Sequence, residues 1–499
     1  MSPRSEKYAH PVLQRADERL GDGLDRVVRA HHRRRLERLG WADALDSDAD
    51  PSPDGNGPGG FDLDAGAHPV RAGNAVTVHV DGAAALSAVQ EAVAGAQSSV
   101  HVAGWFASPS FRLGRDDGSP TLNELLAQAA RRASVRVLLW AGPPLPVFKP
   151  TRRMVRAARA QFESADNVQC ALDRRERTMH CHHEKIVVVD GRVAFVGGID
   201  LTALAGDRWD SPAHVPDRPL GWHDAACELR GPVVGDVAAH FAARWSEVTG
   251  EPLEPLAAPE PAGESAVRFV RTVPERAYRF APRGDFSILA AYLRALRAAR
   301  SFVYLENQFL WSTEVIDVLA DKLRRPPTDE FRVLLVLPTR PNNGADTTRG
   351  QLGRLLEADE GRGRLLATTV DAHAGGRTGP LYVHAKVGVV DDAWLTVGSA
   401  NLNEHSLFND TEANVVVHDP ALARQTRLRL WSEHLERPVA EVSGDPVRVF
   451  DELWRPTAAE QSRRARRGEK RSHRLTLLPD LSRHAERLQG PLRGLLVDG

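Results

Sequence analysis

The fold of this chain is decided by MHCHHEKIVVVDGRVAFVGGIDLT, residues 179–202, which returns as LYVHAKVGVVDDAWLTVGSANLN, residues 381–403. In both copies a His and a Lys stand two residues apart, an apolar run follows, and an Asp comes five residues after the Lys. One such triplet in a chain of 499 residues would carry little weight. The same extended pattern twice predicts an internal duplication.

The His-x-Lys spacing has a direct geometric meaning. Side chains at positions i and i+2 of a strand point to the same face. His183 and Lys185 should therefore lie side by side, and so should His384 and Lys386. Each copy is expected to present one imidazole and one ammonium together at the start of a β-hairpin.

The third member of each copy, Asp190 or Asp391, stands between two apolar runs. Asp190-Gly191 and Asp391-Asp392 fit a tight turn that joins the paired strands. We count both aspartates with the catalytic set because they belong to the motif. Their turn position favours a structural role over direct chemistry.

Two imidazoles and two ammonium groups suit the cleavage of a phosphodiester. A neutral imidazole can attack phosphorus, and a protonated one can donate a proton to the leaving oxygen. Histidine serves both purposes because its unperturbed pKa is about 6.5. Lysines stabilise the charge on the phosphoryl oxygens. If each half of the chain supplies one pair, the site should lie between the halves.

Helices alternate with apolar strands in both halves, which predicts an α/β fold of two similar lobes, each a mixed or mainly parallel sheet flanked by helices. The predicted parts are an N-terminal helix and Asp/Gly/Pro-rich linker (1–69), a first lobe (70–250), a linker (251–266), a second lobe (267–437) and a separate basic tail (438–499). Within the N-terminal helix, the basic run 31–35 is expected on a solvated face.

Composition bounds the cellular setting. Lys plus Arg number 65 and Asp plus Glu 66, so a strongly basic nucleic-acid protein is not indicated. Three cysteines give no disulfide framework, and the first residues show no secretory signal. The sequence contains no apolar run of about 18 residues, so no membrane span is predicted. We expect a cytoplasmic protein that meets any lipid substrate at a membrane surface; the oligomeric state stays open.

A zinc site is the main alternative for the run His180-Cys181-His182-His183. On a strand, His180 and His182 point away from the face that carries His183, so one strand cannot offer all three imidazoles to one ion. We therefore expect no metal and no other cofactor at the catalytic centre.

Several further segments carry a resemblance to a known family. They are GGIDLTALAGDRWD (197–210), WHDAACELRGPVVGDVAAHFAARW (222–245), FVYLENQF (302–309) and GSANLNEHSLFNDTEANVVV (398–417). Together with the duplicated motif they resemble the phospholipase D superfamily, and the motif sequences are most similar to those of the eukaryotic-type phospholipases D. The resemblance covers roughly residues 70–440.

The resemblance implies a duplicated fold with a single site at a pseudo-twofold interface, a covalent phosphatidyl-histidine intermediate and no catalytic metal. It assigns His183 as nucleophile and His384 as general acid and then base; the residues alone leave the reverse open. Lys185, Lys386 and Asn401 would hold the phosphate, and Asp224 and Glu412 would hydrogen-bond the catalytic imidazoles. Further candidates for lining the substrate pocket are Ser399, Glu306, Asn307, Gln308 and Trp105.

Two positions depart from the family pattern. Asp200 stands where many smaller bacterial members have Asn, and a carboxylate beside a phosphate is unfavourable, so we leave Asp200 out of the phosphate ligands. His405 replaces the usual Arg of the GSAN…RS stretch. Both departures bear on the substrate more than on the reaction class.

The expected function is hydrolysis of a glycerophospholipid at the headgroup side, with transphosphatidylation when an alcohol is the acceptor. The alternatives are a cardiolipin-synthase-type transferase, a nuclease and a non-catalytic binding protein. No stable nucleic-acid partner is expected. The basic tail, which carries seven Lys and Arg residues between 463 and 474, offers a contact to anionic headgroups.

Overall fold

The computed structural model describes residues 11–46, 68–114, 118–144, 149–177, 180–204, 220–339, 345–479 and 481. The predicted linker before residue 70, apart from its ends, and the GDRWD end of the first-lobe signature lie outside these residues. In the described part, sixteen strands form one mixed sheet that runs through both lobes. The predicted α/β class and the two similar lobes are confirmed.

The first lobe contributes seven strands to this sheet. Three helices of the lobe cover one face of these strands, and a fourth helix covers the other face. Its elements are β1 (Val70–Val80), α3 (Asp81–Gly95), β2 (Ser99–Gly104), α4 (Leu122–Ala129), β3 (Ser134–Trp140), α5 (Arg152–Phe162), β4 (Val168–Asp173), β5 (Ile186–Val189), β6 (Val193–Gly197), β7 (Gly221–His223), β8 (Ala225–Arg230) and α6 (Val233–Thr249). The strand order is β1-β8-β6-β5-β2-β3-β4. Only β2, β3 and β4 run parallel, so the sheet is mixed and not mainly parallel.

The second lobe repeats this order. Its elements are β9 (Ser265–Val273), β10 (Asp285–Phe286), α7 (Ser287–Ala298), β11 (Phe302–Glu306), α8 (Thr313–Arg324), β12 (Arg332–Val336), α9 (Ala345–Asp359), β13 (Leu365–Val370), β14 (Ala372–Ala374), β15 (Arg377–Gly379), β16 (Leu381–Val383), β17 (Val387–Val390), β18 (Trp394–Gly398), α10 (Glu404–Phe408), β19 (Glu412–His418) and α11 (Pro420–His434). The order β9-β19-β18-β17-β11-β12-β13 matches that of the first lobe strand for strand.

The boundary between the lobes is itself hydrogen-bonded. β1 pairs with β9, so one sheet continues across the boundary. β7 of the first lobe pairs in parallel with β16 of the second, and His182 bridges Thr411. The main core cluster lies on one side of this sheet and draws residues from both lobes, such as Val196 and Phe241 from the first and Val397 and Phe269 from the second. The two lobes therefore share a core and form one body.

The predicted linker 251–266 is packed against the first lobe. β9 already begins at Ser265. A Cβ added to Gly235 would come within 2.7 Å of Ala258, and one added to Gly73 within 2.9 Å of Pro261. These close approaches require glycine on the first-lobe side and hold the joint in place.

The described N-terminal and C-terminal segments, residues 11–46 and 438–479, pack on the second lobe, which corrects two expectations. The N-terminal helices are α1 (Pro11–Leu39) and α2 (Ala42–Asp46). The basic run is not simply solvated: His32 and Arg35 are buried, because His32 pairs with Glu314 and Arg35 with Glu275. The exposed members are His31, Arg33 and Arg34.

The described part of the C-terminal segment, residues 438–479, is not a separate tail. It contains α12 (Val439–Val442), α13 (Pro446–Val449), a π-helical turn (Phe450–Trp454), α14 (Arg455–Arg466) and β20 (Leu475–Leu477). β20 adds an antiparallel strand to the outer edge at β13. Trp454, Ala458 and Leu475 are buried in the main core cluster, and Arg474 is buried too. Among the described helices, none combines the length and apolar character that a bilayer crossing requires.

Candidate active site

The two His-x-Lys pairs lie in corresponding places, each directly before a central strand. His183 and Lys185 precede β5, and His384 and Lys386 precede β17, so the strands begin one residue after each Lys. In both copies the Lys Nζ donates a hydrogen bond back to the carbonyl oxygen of its own His, at 2.6 Å for Lys185. All four side chains are buried. The i, i+2 spacing thus puts each imidazole and ammonium on one side of the segment.

The structure brings the two histidines together across the lobe boundary. The ring centroids of His183 and His384 are 6.4 Å apart, and the rings are inclined at 71°. Backbone hydrogen bonds fix this approach: the His183 N–H donates to the Thr411 carbonyl and the His384 N–H to the His223 carbonyl, each at 2.8 Å. Each histidine is therefore held by main-chain atoms of the other lobe.

The carboxylates that contact the histidines are also exchanged between the lobes. Nδ1 of His384 lies 2.6 Å from Asp224 Oδ2, and Nδ1 of His183 lies 3.1 Å from Glu412 Oε1. A carboxylate on Nδ1 fixes the tautomer of the ring and stabilises its protonated form. We call His183, Lys185, Asp200 and Glu412 the first half-site, and His384, Lys386, Asp224, Gln308 and Asn401 the second half-site.

The first half-site has an unusual electrostatic setting. The pKa of Glu412 is raised to about 8, mainly by burial and also by the nearby Asp410 charge, against the lowering effects of Lys185 and of hydrogen bonds from Ser399 and Ser406. Nζ of Lys185 lies 3.5 Å from Asp200 Oδ2, so an opposite charge stands beside this ammonium. Ser399 contacts Glu412 and supports it from behind.

In the second half-site, amide side chains lie beside the lysine where the first half-site has the Asp200 carboxylate. Gln308 Oε1 lies 3.4 Å from Lys386 Nζ and 3.3 Å from Asn401 Nδ2. Asp224 also accepts the Ala225 N–H at 2.8 Å. Gly198 leaves room for this carboxylate, since a Cβ there would stand 2.1 Å from Asp224 Oδ1.

Sequence reasoning missed the aromatic wall of the second half-site. The ring centroid of Trp222 lies 4.4 Å from that of His384 and 5.0 Å from that of Tyr382. The signal was present, because Trp222 stands two residues before Asp224 and Tyr382 two before His384. The pairing of β7 with β16 brings these two short stretches together.

Asp190 and Asp391 lie in the turns beyond β5 and β17, not beside the histidine pair. Asp190 accepts hydrogen bonds from the N–H groups of 97–99, and Asp391 from those of 300–302. Their φ angles are 54° and 52°, and Gly191 and Asp392 follow with positive φ as well, which a two-residue hairpin of type I′ requires. The aspartates tie each hairpin to the loop before the neighbouring strand, which corrects their place in the catalytic set.

Glu306, Asn307 and Trp105 are placed away from a pocket surface. Glu306 is fully buried and pairs with His223 at 2.7 Å and His434 at 2.8 Å, because the end of β11 faces into the shared core. Asn307 Oδ1 accepts two backbone N–H groups. Trp105 packs in the core of the first lobe with its ring centroid 6.4 Å from that of Trp140. Of the three ENQ residues, only Gln308 reaches the second half-site.

Comparisons with known proteins converge on one family. A family model described as "Cardiolipin synthase, PLD-like domain" matches residues 292–432. Phospholipase D A of Dictyostelium discoideum is 25% identical over 72% of this chain and 35% of its own length. Phospholipase D alpha 1 of Carica papaya is 24% identical over 70% of this chain and 63% of its own length. The chain thus spans between about one third and two thirds of these relatives.

A solved structure supports the fold independently. The phosphatidylserine synthase of Haemophilus influenzae Rd KW20 superimposes with a TM-score of 0.50 at 13% identity, over 74% of this chain and 88% of that protein. At that identity the likeness concerns the fold.

Proposed function

This chain belongs to the phospholipase D superfamily, and from that premise we propose that it is a phosphodiesterase that cleaves glycerophospholipids at the headgroup side. The products are phosphatidic acid and a free alcohol such as choline or ethanolamine. With an alcohol in place of water, the same intermediate gives transphosphatidylation.

One observation carries the proposal: His183 and His384 face each other at 6.4 Å between ring centroids, each with a carboxylate on Nδ1 and a lysine beside it. With both Nδ1 atoms engaged by carboxylates, the chemistry falls to the two Nε2 atoms. A phosphorus atom between the rings would have a nucleophile on one side and a proton donor on the other.

The first step joins the substrate to the enzyme. Nε2 of neutral His183 attacks phosphorus, the bond from phosphorus to the headgroup oxygen breaks, and the His384 imidazolium gives that oxygen its proton. In the second step His384 takes a proton from water, the water oxygen bonds to phosphorus, and the bond to His183 breaks. Both histidines end as they began.

The difference between the carboxylates supports this assignment of roles. Asp224 lies 2.6 Å from His384, a short contact that favours a charge-assisted hydrogen bond and so stabilises an imidazolium. Glu412 stands farther from His183, at 3.1 Å, and its pKa is raised to about 8. It therefore stabilises an imidazolium at His183 less well than Asp224 does at His384, so we assign His183 as the neutral nucleophile.

The lysines bind the phosphoryl oxygens, helped by the amides of Gln308 and Asn401. One preorganised donor of this kind contributes about 3–4 kcal/mol to transition-state stabilisation. Lys386 and Asn401 already share Gln308 as a hydrogen-bond partner, which positions both donors before substrate arrives.

A cavity beside the second half-site suits an amphipathic substrate. It has a volume of about 810 Å³, and its lining combines apolar residues such as Leu381 and Leu477 with charged ones, Asp371, Arg466 and Arg471. Tyr382 belongs both to this cavity and to the aromatic wall next to His384. A chain of a diacylglycerol could extend from the phosphate into it. The exposed arginines of α14 nearby provide a contact to anionic headgroups.

A phosphatidyltransferase of the cardiolipin-synthase type is the second candidate, because the matching family model carries that description and only the acceptor differs. The deciding experiment incubates the protein with mixed phospholipids, with and without ethanol, and identifies products by mass spectrometry beside a single-stranded DNA digest. We expect phosphatidic acid without ethanol and phosphatidylethanol with it. Cleaved DNA with intact lipids would show that the substrate is a nucleic acid. No turnover of any diester would indicate a non-catalytic binding protein.

A further inference from the structure

Three side chains outside the proposed reaction form a second group of nitrogen and oxygen donors. His180 lies three residues before His183 in the first lobe. His405 in α10 and Asp410, two residues before Glu412, belong to the second lobe. Their donor atoms all lie within 4.8 Å of one another. We call these three residues the cross-lobe cluster.

The spacing of the cross-lobe cluster fits a tetrahedral ion. Nδ1 of His180 lies 3.1 Å from Nδ1 of His405 and 3.4 Å from Asp410 Oδ1. Zinc binds imidazole nitrogen and carboxylate oxygen at about 2.0–2.2 Å, and two ligands at a tetrahedral angle then stand about 3.3 Å apart. Both of these separations are close to that value, and the donor atoms of His405 and Asp410 lie within 4.8 Å of each other. One ion can therefore reach all three atoms if His405 and Asp410 move closer together.

Asp410 adds a second, independent observation. The residue is fully buried. Its Oδ1 accepts the Cys181 N–H at 2.8 Å, but its Oδ2 has no hydrogen-bond partner within the described residues. A buried carboxylate oxygen left without a partner costs free energy. A bound cation would supply the missing partner, and the side chain of His180, 11% exposed, opens the cluster to solvent.

Another buried group of two histidines and an acid also places three donor atoms within 4.8 Å of one another, but its arrangement is different. His223 and His434 bond to different oxygens of Glu306, at 2.7 and 2.8 Å, so the carboxylate separates the two rings. All three residues are fully buried. In the cross-lobe cluster the two imidazoles instead face each other directly, and a proton or a metal ion has to stand between them.

We propose that His180, His405 and Asp410 bind one divalent transition-metal ion, with Zn²⁺ as the best match to two imidazoles and a carboxylate. The fourth ligand position is left to water. The ion would join the segment that carries His183 to the segment that carries Glu412, next to the backbone bonds from 183 and 184 to the Thr411 carbonyl. It is a clamp between the lobes and takes no part in bond cleavage at phosphorus.

The test measures zinc binding directly. The full-length protein is stripped with EDTA and titrated with ZnCl₂ by calorimetry, and thermal unfolding is followed with and without the ion. We expect one equivalent bound and a Tm raised by several degrees at saturation, because an ion that binds only the folded state stabilises it. With Co²⁺, the wild type should show the visible absorption of a tetrahedral site. Absence of stoichiometric binding would overturn the site and leave a hydrogen bond between two histidines.

Variants locate the ion. H180Q and H405Q should each lose the bound equivalent and the Tm increase, while H79Q, which removes another histidine paired with a carboxylate (Glu228), should keep both. Retention of the equivalent in H180Q and H405Q would refute the assignment. H180Q alters a partly exposed ring, so it tests the site even where H405Q folds poorly. H384N should still bind zinc, which separates this proposal from the proposed phosphodiesterase activity.

Discussion

The first and second half-sites occupy equivalent places in a duplicated fold but differ in charge. Val100 and Val303 pair with the strand residues just before the motif aspartates, so five residues later Trp105 corresponds to Gln308. By the same count Asp200 corresponds to Asn401. The first half-site thus sets a carboxylate beside its lysine and the second sets two amides. Duplication preserved the geometry, while substitution at a few positions gives the two histidines of the proposed site different surroundings.

Removal of either histidine of the proposed site should have the largest effect on turnover. H183N and H384N should both lose at least about 10⁴-fold in kcat on phospholipid, because one supplies the covalent bond and the other the proton. A diester with a p-nitrophenol leaving group separates them, since that group departs without protonation. H384N should recover much of its rate on this substrate, and H183N should not. Recovery by H183N alone would reverse the assigned roles.

Loss of one lysine should have the next largest effect. K386M should lower kcat about 10²- to 10³-fold, the range for removal of one preorganised donor to the transition state. K185M should cost less, because Asp200 already offsets part of its charge. Steady-state kinetics on one phospholipid in mixed micelles measures both. Equal losses would show that Asp200 has no influence on the first half-site.

Substitutions at the equivalent positions 200 and 401 test the charge difference between the half-sites directly. D200N makes the first half-site resemble the second, and it should lower KM for an anionic diester by up to roughly tenfold because it removes a negative charge near the phosphate. N401D should raise KM by a similar factor. Circular dichroism and Tm verify that both variants keep the fold. A higher KM in D200N would mean that the Lys185–Asp200 pair positions the ammonium productively.

The raised pKa of Glu412 predicts a pH dependence of stability. The folded state holds this proton up to about pH 8, while the unfolded chain releases it near pH 4.5. The folded state therefore binds more protons in this window, and its free energy of unfolding should fall as pH rises from about 4.5 to 8. E412Q cannot ionise, so its decrease should be smaller, by an amount on the order of a few kcal/mol. Urea unfolding at several pH values measures this.

The matched control for that experiment is E37Q, which neutralises a half-exposed glutamate of α1. It should follow the wild-type dependence on pH. If E412Q also followed the wild type, Glu412 would ionise in the folded protein as it does in water, and the electrostatic reason for a neutral His183 would be lost.

The smallest expected effect is on membrane binding and concerns the outer edge of the second lobe. In the described residues, β20 adds a strand at this edge and α14 packs on it, and the first lobe has no counterpart. R463Q/R466Q/R467Q should weaken binding to anionic vesicles and leave cleavage of a soluble diester unchanged. Each basic residue near such a surface contributes about 1 kcal/mol, and less here because Arg463 and Arg467 pair with Glu460. The control R153Q/R156Q/R159Q removes three exposed arginines from α5. Equal binding by both triple variants would remove α14 from the membrane contact.

Much of the fold and the paired histidines and lysines follow from the sequence, because the duplicated pattern indicates which strands begin directly after Lys185 and Lys386. The partners of these histidines do not follow from spacing. Asp224 and Glu412 are 160 and 229 residues away from the rings that they contact, and only the family resemblance pointed to them.

Other misses have simple physical causes. A buried acid at a strand end, such as Glu306, gives the same sequence pattern whether it lines a pocket or pairs with buried histidines. Hydrophobic periodicity indicates that a residue is buried, but it does not indicate which residues it contacts. β20 spans three residues, too few for an alternating pattern to announce a strand. Its basic flanks suggested a solvated tail, yet Arg474 is buried near Glu433.

The ladder between β1 and β9 restricts how any ligand can reach the histidines. Rotation of one half of the molecule away from the other would break this ladder, the β7–β16 pairing and the contacts of residues 256–261 with the first lobe together. Ligands should therefore enter and leave without separation of the two halves, and turnover should be insensitive to crosslinks that tie the halves to each other far from the histidines.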